Sequence, residues 1–407
     1  MRSLLACGVL VILGACGGGA HPSGFGDGNS SSGGSGSGGS GGSSGSIGSF
    51  GDGGSGSGSG GAQGCPPCST GNVNLASSNC DLDCSGSSSP PASCDSGLTF
   101  DGPAADFAKA IGVCQMADAT HWGLVSATYT RGYNSTTPPA DGQHGIMAGF
   151  GTSIKPQEGA NLGILSSGYA LPCDDSNPGA SCNGSGQSDP YFKGEQVGMY
   201  NGPGSAPPKY PKSTPTCKVV AAVYDTIGVT LQIKVPDNAQ GFSFDFDFYS
   251  GEWPEYVCSE FNDSFVAWLN SAAWAGTAGD LNISFDSMGN PVSVNNGFFD
   301  RCTPNAETGC AGTPPVTATA ACAGGPTELM GTGFYNLGSY CGGGQTTGGG
   351  ATGWLTTKAP VQGGETITLQ FIIWDTGDQN WDSSVLVDNL QWYGTAQMTG
   401  TTRPPTQ

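Results

Sequence analysis

Charge is scarce in this 407-residue chain. Only 11% of its residues are charged, Lys and Arg number 12 against 32 Asp and Glu, and the formal net charge is −20. So few basic residues cannot neutralise a phosphate backbone, which excludes a nucleic-acid partner and points to a cation instead. Histidine is scarcer still, with His21, His121 and His144 the complete set. That argues against a catalytic zinc site. A Ser-His-Asp triad is equally poorly supplied, since "GQHGI" around His144 is no nucleophile setting and G-x-S-x-G is missing from the part expected to fold. His121 and His144 read as ordinary structural or surface residues. There is no βαβ rhythm and no phosphate-cradling Gly loop. Long apolar runs are also missing. The stretch Leu4 to Leu13 is too short to span a bilayer as a helix.

What the N-terminus does contain is a secretory pattern. Arg2 precedes the apolar run, and Leu13-Gly14-Ala15-Cys16 closes it with small residues before a cysteine. This resembles the lipobox of bacterial lipoproteins, which implies cleavage after residue 15 and acylation of Cys16. Acyl chains at about 0.8 kcal/mol per buried methylene would then hold the protein at a membrane. Gly17 to Gly64 is almost wholly Gly and Ser and cannot bury a core. As a flexible tether of roughly 48 residues it reaches about 40 Å. Setting aside Cys7 and Cys16 from 16 cysteines leaves an even number, as expected for disulfides in an exported chain. Residues 65–100, with Cys65-Pro-Pro-Cys68, Cys80, Cys84 and Cys94, read as a stapled neck, a zinc or redox pair being the other reading.

Beyond the neck, Ala104, Phe107, Ala108 and Ile111 recur at helical spacing, with Pro103 before them and Gly112 after. This is the one helix the pattern predicts. The period then changes to two. Val229, Leu231, Ile233 and Val235 share a face. Phe242, Phe244, Phe246 and Phe248 share another, with Asp245 and Asp247 opposite. Ile367, Leu369, Phe371 and Ile373 share a third, and "SSVLVDNLQWY" reads as the last strand. Alternating strands separated by Gly, Pro and Asn predict an all-β, antiparallel sandwich of jelly-roll or lectin-like type. Residues 300–352 break the pattern with Cys302, Cys310, Cys322 and Cys341 among Gly, Thr and Pro. They read as a long loop whose cysteines pair among themselves, because it lacks a core of its own. Residues 396–407 read as a disordered tail.

Several separated motifs resemble the choice-of-anchor L domain. They are Phe248-Tyr249-Ser250-Gly251-Glu252-Trp253-Pro254-Glu255-Tyr256, Phe261-Asn262-Asp263-Ser264-Phe265 and Asn290-Pro291-Val292-Ser293-Val294-Asn295. Pro360-Val361, Gly364 to Leu369, Asp375-Thr376-Gly377-Asp378 and Asp382 to Val385 continue the likeness, with "HGIMAGFG" and "GANLGILSSGYA" upstream. The resemblance covers roughly residues 101–395 and is of the kind seen in myxobacterial surface lipoproteins. It implies a secreted sandwich, anchored here by lipid in the outer membrane or at the cell surface. It implies a location and a fold rather than a reaction.

The densest chemistry lies in "SGEWPEYVCSEFNDSF", which holds Glu252, Glu255, Glu260 and Asp263 with no Lys or Arg. Two carboxylates 4 Å apart repel by about 4 kcal/mol at an effective dielectric near 20. Such a cluster must stay apart in water, take up protons or bind a cation. Calcium takes six to eight oxygens. Glu252, Asn262 and Asp263 from this stretch, with Asp375, Asp378 and Asp382 from "DTGDQNWDSS", are the candidate ligands, expected at the same end of the sandwich. Solvated surface acids, or an ion pair to Arg301 or Lys358, are the alternatives. Asp388 shares a strand face with Leu386, Leu390 and Trp392, so it needs partners, backbone hydrogen bonds among them.

The function this predicts is a lipid-anchored, surface-displayed binding or adhesion module with calcium-stabilised loops, not an enzyme. Its partners would be a glycan or another surface protein, besides the membrane. The alternative is a carbohydrate-binding or glycoside hydrolase-like protein. There Glu252 and Glu260 would be the acid–base pair, and Trp253, Tyr256 and Trp268 would stack on sugar rings.

Overall fold

The computed structural model describes residues 94–171 and 204–404, apart from positions 215, 296, 336, 338–340 and 342–347. All of these belong to one compact unit. The signal, Cys16, the tether and most of the neck lie outside the described residues. The helix expected near residue 104 is α1, Ala104–Ala110, which follows Pro103 and ends before Gly112 at φ +102°. The strands in chain order are β1 Gly123–Thr130, β2 His144–Met147, β3 Leu162–Ser166, β4 Val223–Lys234, β5 Gly241–Ser250, β6 Ser264–Asn270, β7 Val292–Ser293, β8 Glu307–Thr308, β9 Ala318–Thr319, β10 Gly350–Ala351, β11 Leu355–Pro360, β12 Thr366–Thr376, β13 Ser383–Tyr393 and β14 Gly400–Thr402.

They form two main antiparallel sheets. One runs β1-β4-β12-β6-β7. The other runs β14-β11-β5-β13-β3-β2, with β10 added to one end of β5. Residues spaced by two fill the space between them. Val229, Leu231 and Ile233 of β4, Phe371 and Ile373 of β12 and Phe265 of β6 meet Phe242 to Phe248 of β5 and Val385 and Val387 of β13. Phe244 lies edge-on to Phe371 at 4.9 Å, and Phe246 lies 5.0 Å from Phe265. The sandwich read from the alternation is therefore the sandwich observed. α1 closes one flank, with Phe107 edge-on to Tyr129 of β1.

The outer faces are covered too. On the second sheet, Tyr249, Leu386, Leu162 and Ile164 pack against Phe150, Leu329, Phe334 and Leu337, the last three from the long insertion. On the first, Val266, Ile372 and Trp374 pack against Tyr133 and Tyr210. This double cover is why every residue of β5 is buried, Asp245 and Asp247 included. Asp247 accepts hydrogen bonds from Tyr249 and Thr352, and Asp245 from Thr356 and Asn389.

The insertion is tied as its composition suggested. Cys302 pairs with Cys322, and Cys310 with Cys341. Arg301, which opens the insertion, bonds Glu328 at 2.9 Å and also pairs with Asp300. Two further bridges join Cys94 to Cys114 and Cys217 to Cys258. Cys94, read as part of the neck, is thus fastened to the residues just after α1. The tail also differs from expectation. Gly400–Thr402 pairs with β11, so β13 is not the last strand; Thr401 is drawn in because its hydroxyl meets that of buried Thr357 at 2.7 Å.

Candidate cation site

β5 leaves its sheet at Ser250 and the chain turns repeatedly before β6 begins at Ser264. This connection contains no regular element. It is fixed by the Cys217–Cys258 bridge and by hydrogen bonds to its neighbours. The Asn262 amide oxygen accepts from the Asn295 backbone at 2.9 Å, and Asn295 in turn accepts from the Cys258 backbone N–H. Trp253 stacks face to face on Phe299 at 4.3 Å. These contacts press Glu252 and Asp263 into the protein, leaving Glu260 exposed.

The β12–β13 turn lies at the same end. Asp375 is the penultimate residue of β12 and Asp382 immediately precedes β13. Asp263 is the hinge between the two segments. Its Oδ1 accepts from the Thr376 backbone at 3.0 Å, and its Oδ2 accepts from the Ser383 hydroxyl at 2.7 Å. The Asp263 backbone N–H donates to Glu252 at 3.2 Å, and that of Gly251 donates to the Asp382 carbonyl at 2.9 Å. β3 supplies the far wall. The Ser167 hydroxyl accepts from the Ser383 backbone, and a Cβ built on Gly168 would lie 1.7 Å from Asp382 Oδ2. Only a glycine lets the chain pass this close to the carboxylate.

A fifth buried acid joins these four. Asp225 of β4, 1% exposed, was not singled out by the sequence pattern. In the β4–β12 pairing, Ile373 faces Ile227 but Asp375 faces Tyr224, so Asp225 and Thr226 together oppose Trp374. Such a bulge re-aims a side chain. The Gln143 amide holds the Asp225 carbonyl at 2.9 Å.

Glu252, Asp263, Asp375, Asp382 and Asp225 are each at most 2% exposed. No hydrogen bond reaches either carboxylate oxygen of Asp375, or Oδ1 of Asp225. The Ser167 hydroxyl lies beside Asp375 and 3.3 Å from the Ser383 carbonyl. Burial is the largest influence on every one of these groups whose titration is displaced. It pushes Asp225 up to about 8 and Asp263 to about 7, with neighbouring carboxylates adding to the effect. Glu252 and Asp375 are driven well above the usual carboxylate range by burial and then by Asp263. Arg131 acts in the opposite direction on Asp225. Arg301 and Lys358 are engaged elsewhere, Arg301 with Asp300 and Glu328, and Lys358 over the Tyr393 ring.

The structure therefore brings Glu252, Asp263, Asp375 and Asp382 together, with half-buried Asp378 facing Asp225, Glu252 and Asp263. Asn262 sits beside them but spends its amide oxygen on Asn295. Every side-chain donor in the cluster is oxygen, the chemistry of a hard cation such as calcium. Among the described residues no three acidic, imidazole or thiolate groups already converge at ligand distance, so an ion would have to draw these carboxylates inward.

The aromatic residues considered for sugar stacking are differently placed. Trp253 and Trp268 are each 6% exposed, and Tyr256 lies edge-on to Phe261. Asp388, read as needing partners, accepts from the backbone of Gln157, Glu158 and Asn389. His121 pairs with Asp118 on the surface, and His144 stacks on Tyr129 at 3.8 Å.

A doubly covered antiparallel sandwich, stapled by disulfides, is the architecture of an exported, surface-associated domain. Residues 224–390 match the family model described as the choice-of-anchor L domain. Neither the curated proteins nor the solved structures provide a match to the chain.

Proposed function

We propose that the protein is a lipid-anchored, surface-displayed binding module whose sandwich is clasped at one end by bound calcium. The ligands would be Glu252, Asp263, Asp375, Asp378 and Asp382. The observation that carries this reading is Asp375: a carboxylate 1% exposed, with no donor to either oxygen, among other buried acids. A buried carboxylate in that position requires a proton or a cation. Asp225, Asp263 and Asp375 belong to one sheet or its approach, while Glu252 and Asp382 belong to the ends of strands in the other. An ion shared among them would join the two layers. The long insertion and the connections at this end would then present a fixed surface to a glycan or protein partner. Acylation of Cys16 would hold the domain at the outer membrane or cell surface.

The test is metal content and melting temperature of the purified chain, with and without chelator. Binding confined to the folded state stabilises it by about 2.7 kcal/mol at a hundredfold excess over Kd. The expected result is bound calcium and a lowered melting temperature on chelation. Calcium-free protein with an unchanged melting temperature would overturn the cation reading. For the anchor, Cys16→Ser should move the protein from the membrane fraction to the soluble one. Retention of that variant in membranes after a high-salt wash would overturn the lipid assignment.

A further inference from the structure

A cleft of about 270 Å³ opens on the outer side of the first sheet, and none of the clustered acids lines it. Two of the chain's 12 basic residues, Lys209 and Lys212, lie three positions apart and both face into it, with Tyr210, Asp280, Phe285 and Met288. Tyr210 forms the floor. Its ring lies edge-on to Trp268 of β6 and Trp374 of β12, at 6.4 and 5.9 Å. Its hydroxyl donates to Asp280 at 3.1 Å and accepts from the Asn282 amide at 3.2 Å. Burial, and then Asp280, hold that hydroxyl above the usual phenol range, so it keeps its proton. Asn282 is 2% exposed and spends the rest of its amide on the backbone of Ala267 and Ser284. The floor is thus fixed before any ligand arrives.

Two turns that follow β6 make the walls. In one, Thr277 and Asp280 exchange backbone hydrogen bonds at 3.0 Å around Ala278 and Gly279. In the other, Asp286 and Asn290 enclose Gly289. Each lysine grips one turn. Lys209 donates to the Ala278 carbonyl, and Lys212 to the Gly289 carbonyl at 2.7 Å. One such bond uses one of three ammonium protons, which leaves two on each lysine. Lys209 at φ +78° and Ala278 at φ +52° both hold left-handed backbone, which disfavours residues that carry a Cβ. Such conformations persist where the surroundings impose them, and they gather at ligand clamps.

The lining selects a ligand. Two ammonium groups against one carboxylate, Asp280, leave one positive charge in excess, which suits a monoanion. Asp280 lies 3.7 Å from Lys212 and, with the Gly289 carbonyl, can accept protons from ligand hydroxyls. Phe285 and Met288 supply an apolar side, Met288 being 81% exposed at the rim. The volume is below the roughly 300–1,000 Å³ of sites for drug-sized ligands. That is room for one six-membered ring rather than a run of peptide residues. We propose that the cleft binds a single carboxylate-bearing sugar residue of a glycan, with its carboxylate between Lys209 and Lys212, its hydroxyls on Asp280 and its ring against Phe285. This inference rests on the reading of the protein as a binding module, names the class of its ligand, and does not depend on a bound cation.

The experiment is titration of the full chain with glucuronate, followed by calorimetry and by protein NMR shifts, with the methyl ester of glucuronic acid as the neutral counterpart. Glucuronate should bind at one site per chain, at least tenfold more tightly than the ester. Lys209→Gln, Lys212→Gln and Phe285→Ala should each weaken it at least tenfold. No binding of glucuronate would overturn the proposal, and equal binding of the ester would overturn the role of the carboxylate. Unchanged affinity in Lys209→Gln would overturn the location. A tripeptide with a free C-terminal carboxylate that binds more tightly than glucuronate would overturn the sugar assignment. Should Lys212→Gln fail to fold, the ester comparison needs only the wild-type protein, and Lys209 is exposed. Calcium content measured on the same sample separates the two readings. Calcium bound without glucuronate binding removes this proposal alone, whereas glucuronate binding to calcium-free protein supports it and removes the cation alone.

Discussion

The Ser383 hydroxyl donates a 2.7 Å hydrogen bond to Asp263 Oδ2 and lies 3.0 Å from the Ser250 hydroxyl. Asp263 leads into β6 of one sheet, whereas Ser383 opens β13 and Ser250 closes β5 in the other. The contact is a polar rivet between two layers that otherwise meet through apolar side chains. Ser383→Ala removes the donor and leaves a buried carboxylate oxygen short of a partner. The expected loss is about 1–3 kcal/mol, read by denaturant unfolding. Calcium should recover part of that loss. A change of less than a few tenths of a kcal/mol would show that the rivet does not hold the layers.

The raised carboxylates fix the sign of a pH response. Asp225 and Asp263 titrate near 8 and 7 in the folded protein against an ordinary value of 3.8. The folded state thus binds protons more tightly than the unfolded chain, and that contribution is fully present below about pH 4. It is lost as pH rises through the folded values. In chelator, the melting temperature should fall between about pH 4 and pH 8. Calcium bound as proposed would compete with protons for the same oxygens, so its stabilising effect should grow over this range. A chelated protein that grows more stable towards pH 8 would contradict both the burial and the sign.

Gly168→Ala tests the wall beside Asp382. The added carbon would meet Asp382 Oδ2 at 1.7 Å, so one of the two must move. Overpacking of this kind costs about 1–3 kcal/mol. The expected outcome is a lower melting temperature together with calcium affinity weakened about tenfold or more. Thermal unfolding and calorimetry on the same sample separate the two effects. Unchanged affinity would mean that Asp382 does not ligate.

The insertion meets the β5–β6 connection through backbone hydrogen bonds, Gly309 to Pro254 at 3.0 Å and Ala311 to Glu255 at 2.9 Å. Replacing Cys302 and Cys322 by Ser opens one of its bridges, at an expected cost of about 2–4 kcal/mol. Arg301 to Glu328 and the packing on Tyr249 should persist at low temperature. Calcium affinity should fall by less than stability, since the insertion touches the acidic connection at the backbone of Pro254 and Glu255. Equal loss of stability and of calcium binding would indicate that the insertion and the acidic end act as one unit.

The alternation along β4, β5, β12 and β13 was enough to read two sheets, because between packed sheets every second residue must be apolar. What the alternation could not convey is the cover on the outer faces. That cover comes from Tyr133, Tyr210 and the insertion around Leu329 and Phe334, distant in sequence and without a period of their own. The same limit applies to the site. Glu252, Asp263, Asp375, Asp378 and Asp382 stood out because they are crowded within two short segments. Asp225 stands alone in an apolar strand, and only the register shift against β12 reveals its neighbours. A lone acid within a core strand was the available signal, and it is the same signal that marked Asp388. There the carboxylate meets three backbone N–H groups, whereas one oxygen of Asp225 meets none. β14 escaped because three residues, one of them glycine, give no pattern to read.

The bridge from Cys217 to Cys258 fastens the middle of the β5–β6 connection to the segment that approaches β4. That connection places Glu252 and Asp263, so the shape of the acidic end depends on an oxidation that a reducing cytosol does not sustain. The thiols of Cys217 and Cys258 therefore close only once the chain has reached an oxidising compartment. Maturation of this end of the molecule is thereby coupled to delivery, and a copy retained inside the cell would remain in an unfinished state.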